Sequence, residues 1–162
     1  CSSGGTPQNN PTINVVSVAV PPASVISRAD QQMTSDSTQA TSFYDGFNFC
    51  TPPNQVYFGG FYRRPNNANQ TALLQANVPP ALVSPAGETI PFSQIRWTSS
   101  GAGDGAAAQP VPAGRFVNGG VQTIGSFRRN TWNESCLTFF YDNDLAPGGV
   151  YEGRVIYTLT VP

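Results

Sequence analysis

The chain has 162 residues, a formal net charge of −1 and only 10% charged residues, against about 25% in an ordinary soluble domain. It contains no histidine and no lysine, so all eight cations are arginines. That removes Ser-His-Asp and Cys-His catalysis, histidine-based metal sites and lysine Schiff bases. A pI near 5.1 with arginines spread along the chain argues against a phosphate-binding stripe for nucleic acid. No apolar run reaches the roughly 18 residues of a membrane-spanning helix.

Residues 1–11, CSSGGTPQNNP, carry no hydrophobic periodicity and read as a tether. Cys1 followed by Ser2-Ser3-Gly4-Gly5 resembles the start of a mature bacterial lipoprotein. That resemblance implies a lipid-modified first residue, and with it the chain's one route to a membrane. The alternative for Cys1 is a disulfide to another subunit. Thr12 to Val20, TINVVSVAV, is rich in β-branched residues and is closed by Pro21-Pro22, so it predicts a strand.

Residues 23–42 are Ser/Thr/Gln-rich and predict a long loop or a short helix around Arg28 to Met33. From Phe43 the pattern is β, with Phe43, Phe47 and Phe49 sharing one parity and hence one strand face. Val56 to Tyr62, VYFGGFY, predicts an aromatic strand with a bulge or bend at Gly59-Gly60. Ala72 to Val78 alternates, and Ile90 to Thr98 puts Ile95 and Trp97 on one face. Residues 99–114 are loop-like. Asn118-Gly119 predicts a hairpin turn, and Leu145 to Gly149 another, between Leu137–Tyr141 and the last strand. In that strand Tyr151, Val155, Tyr157, Leu159 and Val161 share one parity, giving a buried and a wet face. No segment shows a 3.6-residue period. Many short strands between Gly, Pro and Asn turns predict an all-β fold, an immunoglobulin-like β-sandwich over residues 23–162 with an extended N-terminal arm over 1–22.

Cys50 and Cys136 both lie in strand-like surroundings and are expected to pair, which implies an oxidising compartment. With Trp97 between them in sequence they suggest a disulfide bridging two sheets beside a tryptophan. Asp142-Asn143-Asp144 and Glu134 supply the remaining chemistry: turn residues, an oxygen-ligand cation site or a carboxylate pair, of which the turn is the plainest reading. No enzyme, cofactor or metal is expected. Tyr57, Phe58, Phe61 and Tyr62 beside Arg63 and Arg64 form a candidate recognition surface, although half of an aromatic strand faces the core. Arg128, Arg129 and Trp132 form a weaker cluster of the same kind. Asn69 and Asn133 match the glycosylation acceptor pattern.

The final stretch APGGVYEGRVIYTLTVP resembles the closing hairpin of bacterial surface β-sandwich domains, including fimbrial subunits. The resemblance implies a structural or adhesive subunit of an extracellular fibre at a bacterial surface. It would be assembled into a homopolymer by β-augmentation between copies. Ile13, Val15, Val16, Val18 and Val20 would then be the subunit-contact strand, donated to a neighbour; the other reading makes them the first strand of the chain's own sheet. Two alternatives stand beside the fibre: a monomeric surface lipoprotein module recognising glycan or a partner protein, and a viral capsid or decoration protein.

Overall fold

The structure is a computed structural model that describes residues 12–21, 29–65, 71–101, 109–144 and 146–160, with the backbone alone for 12–15. The strands are β1 (Thr12–Val20), β2 (Gln31–Gln32), β3 (Thr34–Ser35), β4 (Val56–Gly60), β5 (Ala72–Val78), β6 (Ala81–Val83), β7 (Thr89–Pro91), β8 (Ile95–Ser100), β9 (Gly114–Arg115), β10 (Gly120–Phe127), β11 (Asn133–Tyr141) and β12 (Gly149–Thr160). No α-helix occurs among the described residues; Phe92–Gln94 forms a short 3-10 turn. The fold is therefore all-β.

Two antiparallel sheets are present. The first runs β10-β5-β12-β1-β3, with β6 also beside β12 and β7 paired to β6. The second is built on β11, which pairs with β8 on one side and with β4 and β2 on the other; β9 lies outside β8. Alternation along the strands sends one set of side chains from each sheet into a single hydrophobic cluster. Val16, Val18, Leu74, Tyr151 and Val155 come from the first sheet, and Phe58, Ile95, Trp97, Leu137 and Phe139 from the second. Each such side chain stabilises the fold by roughly 1.5–3 kcal/mol relative to exposure.

β1 forms as its sequence predicts and pairs with β12 of the same chain over its whole length, from Thr12↔Tyr157 to Val20↔Gly149. Val16, Val18 and Val20 are buried in the core. Ile13 and Val15 sit at the alternate register positions, opposite Ile156 and Arg154. β5 and β12 match their predicted alternation, with Leu159 half-buried and Ile156 on the outer face. Val161 and the stretch around Arg28 lie outside the described residues.

Several expectations are corrected. Residues 31–35 form two short strands in opposite sheets instead of a helix, because the Met33 N–H bonds the Phe139 carbonyl and its side chain enters the core. Both expected hairpins are crossovers. β9 belongs to the second sheet and β10 to the first, and likewise β11 and β12. Asn118-Gly119 still turns the chain, with φ of 80° at Gly119 and 93° at Gly120. Gln122 then bonds the Val117 N–H and the Arg115 carbonyl by its side chain, where a hairpin would use the backbone. No bulge occurs at Gly59-Gly60, whose register with Glu134 and Asn133 is regular.

Candidate recognition surface

β11 is buried along most of its length, but its two faces have different neighbours. Ser135, Leu137, Phe139 and Tyr141 face the core. Glu134 and Cys136 face the other way, where a loop over residues 41–50 covers them. The Cys50–Cys136 disulfide forms as expected, with Cα atoms 5.6 Å apart. It does not bridge the sheets, however. It fastens this loop to the outer face of the second sheet, in a small cluster with Tyr57 and Phe49, while Trp97 lies in the main core. The immunoglobulin-like Cys-Trp-Cys arrangement is thereby corrected: sequence order does not tell on which side of β11 the cysteine emerges.

Phe43, Phe47 and Phe49 are not on a strand. The backbone turns at residues 43–45, Gly46 adopts φ 78°, and Thr41 bridges back to Asn48. Parity along the sequence is blind to such a turn. The loop satisfies its own polar groups: Ser42 N–H bonds the Phe47 carbonyl, Gly46 N–H the Ser42 carbonyl, and Phe47 N–H the Asp45 carboxylate. Its aromatic side chains are left on the surface, with Phe43 68%, Phe47 75% and Tyr44 57% exposed.

Glu134 organises the underside. Its Oε2 accepts hydrogen bonds from Ser42 Oγ at 2.7 Å, the Tyr57 hydroxyl at 2.6 Å and Trp132 Nε1 at 2.9 Å. Three neutral donors on one buried carboxylate oxygen satisfy it without a cation. The same donors hold the loop: Ser42 Oγ accepts from the Tyr44 N–H, and the Tyr57 hydroxyl accepts from the Phe43 N–H. Tyr44 stacks on Trp132, with centroids 6.0 Å and planes 25° apart, and Phe43 meets Tyr57 edge-on at 5.4 Å. Burial, reinforced by the bond to Glu134, pushes the Tyr57 hydroxyl up to about 12.

The predicted recognition residues divide. Tyr57, Phe58 and Tyr62 are buried and hold up the surface or the core, whereas Phe61 (52%) and Arg63 are exposed and Arg64 is half-buried. The second sequence cluster joins the first. Asn130 N–H bonds the Tyr62 carbonyl, and the Asn130 side chain bonds both the N–H and the carbonyl of Arg64. Arg129 reaches the Pro65 carbonyl. Segments 61–65 and 128–132 are thus one corner, and Trp132 connects it to the loop. The sequence signal for Phe43, Tyr44 and Phe47 was present as a run of aromatics, but their exposure was not.

The other candidates are otherwise engaged. Asp142 is ion-paired to Arg96 at 3.1 Å and to Arg115, and Arg96 also pairs with Asp30 at 2.7 Å and lies over the Phe140 ring. The N–H groups of Asp144 and Ala146 bond the Tyr141 hydroxyl, and residues 142–144 do not form the expected turn. Among the described residues no group of acidic or cysteine side chains is placed to hold a metal ion. Asn133 is buried with its amide bonded to the Arg128 and Thr131 carbonyls, so it offers no acceptor for glycosylation in the folded chain. Asn69 and Cys1 lie outside the described residues. No family model matches the chain, and searches of curated proteins and of solved structures find no match.

Proposed function

We propose that this chain is an extracellular surface-recognition domain whose contact element is the stapled aromatic loop over residues 41–50. One observation carries the reading. Phe43, Tyr44 and Phe47 are held outward by a disulfide and a buried carboxylate, at positions where core packing has no use for them. Exposed aromatics on a pre-ordered support bind with little entropy loss and dominate recognition energetics. The disulfide supports an oxidising compartment. Two antiparallel sheets around one core support a sandwich, and the position of the disulfide weighs against a strictly immunoglobulin-like one.

The test is a Phe43→Ala/Phe47→Ala variant compared with the unaltered chain on a panel of immobilised polysaccharides and on intact cells. Retention that drops with unchanged unfolding behaviour supports the reading; equal retention on every surface removes it.

The fibre reading has one specific support. β1 precedes the other described strands in the chain, and β2, the next of them, lies in the opposite sheet. A neighbour's β1 could fill the same slot beside β12. Its cis pairing over nine residues supports the monomer instead. Size-exclusion chromatography with negative-stain microscopy separates a 17.2 kDa particle from filaments.

A further inference from the structure

Half of the chain's eight arginines, Arg63, Arg64, Arg128 and Arg129, fall in the corner beside the aromatic loop. Arg63 and Arg128 are exposed, and Arg64 and Arg129 are half-buried. Among the described residues the ion pairs belong to Arg96 and Arg115, and none neutralises this corner. Among the described residues, the acids bonded to the loop are Asp45, which accepts from the Phe47 N–H, and Glu134, which is buried under three neutral donors. Among the described residues, four cations against these two anions leave a local excess of positive charge on a chain whose formal net charge is −1.

We infer that this arginine and aromatic corner binds an acidic polysaccharide, one bearing sulfate or uronate groups. The inference rests on the recognition reading above and names its ligand class. Guanidinium groups match carboxylate and sulfate in a bidentate fork, and aromatic faces stack on apolar ring surfaces. The shape favours a chain ligand over a bilayer. The loop is pinned to the sheet at three points, Ser42 on Glu134, Tyr44 on Trp132 and Cys50 on Cys136, which restricts how far it can enter a bilayer. Tyr44 stacked on Trp132, beside the segment that carries Arg128 and Arg129 and meets Arg64, offers rings and cations side by side, as an extended polyanion requires.

The full chain is passed over immobilised dextran sulfate, polygalacturonate, neutral dextran and poly-L-glutamate, and is mixed with phosphatidylglycerol vesicles. The expected result is retention on the two acidic polysaccharides and none on dextran, weakening about tenfold or more as salt rises from about 50 to about 500 mM. Arg63→Gln/Arg128→Gln should weaken retention about tenfold. Arg154→Gln, on the outer face of the other sheet, should leave it unchanged. Failure of the unaltered chain to bind either acidic polysaccharide overturns the inference. So does retention indifferent to Arg63→Gln/Arg128→Gln, or binding to poly-L-glutamate or vesicles as tight as to the polysaccharides. Equal binding to dextran that falls with Phe43→Ala/Phe47→Ala also overturns it, while leaving the recognition reading standing. Indifference of every ligand to that aromatic variant overturns the recognition reading itself.

Discussion

Tyr57 reaches Glu134 by laying its ring across Gly59: the hydroxyl donates to Glu134 Oε2 at 2.6 Å, and Gly59 is the residue paired with Glu134 across the sheet. A Cβ on Gly59 would lie 2.4 Å from the Tyr57 hydroxyl oxygen and 2.6 Å from its ring. The glycine is therefore a space requirement of the tyrosine, and the tyrosine in turn supports Phe43 through its N–H and its ring.

Gly59→Ala should displace Tyr57 from Glu134 and loosen the loop. Crowding of this kind costs about 1–3 kcal/mol. Urea unfolding measures the loss, and Trp132 emission should change in the native state, since its indole N–H shares the same carboxylate.

Tyr57→Phe keeps the ring and removes one donor to Glu134 and one acceptor for the Phe43 N–H. The expected loss is about 1–3 kcal/mol, with native Tyr44–Trp132 stacking weakened in near-ultraviolet circular dichroism.

Alkaline pH should act through the same hydroxyl. Its folded value of about 12 lies above the ordinary 10.0, so the folded state holds the proton more tightly. Stability is then level below pH 10 and falls as pH rises from 10 towards 12, by at most about 1.4 kcal/mol per pH unit for one group. Burial raises Tyr157 and Tyr151 in the same direction. Denaturant midpoints measured between pH 8 and pH 12 check this, and Tyr57→Phe should flatten part of the fall.

Tyr157→Phe should be neutral or stabilising by about 1 kcal/mol. Among the described residues the buried Tyr157 hydroxyl has no hydrogen-bond partner, while its ring packs edge-on against Phe58 at 4.7 Å, a contact phenylalanine keeps. Thermal unfolding of the variant checks it; a clear drop in midpoint would mean the hydroxyl has a partner.

Cys50→Ala/Cys136→Ala opens a link spanning 86 residues. The chain-entropy account puts its contribution at about 4–5 kcal/mol. Denaturant unfolding should show a loss of that order, and the freed loop should become a preferred site of limited proteolysis near Phe43 and Phe47.

Alternating apolar residues and β-branched runs by themselves determined the strands at Thr12–Val20, Ala72–Val78 and Gly149–Thr160, because side-chain alternation is a property of each strand alone. The pairing of Cys50 and Cys136 was also legible, although Cys50 sits on a loop and only Cys136 on a strand. Only the tertiary structure decided which sheet each strand joins, so two apparent hairpins became crossovers. It also decided that Cys136 and Glu134 emerge on the far side of β11 from the core, and that Arg63-Arg64 and Arg128-Arg129 share a corner. Those outcomes depend on strand register and on burial among residues distant in sequence, which no local pattern encodes.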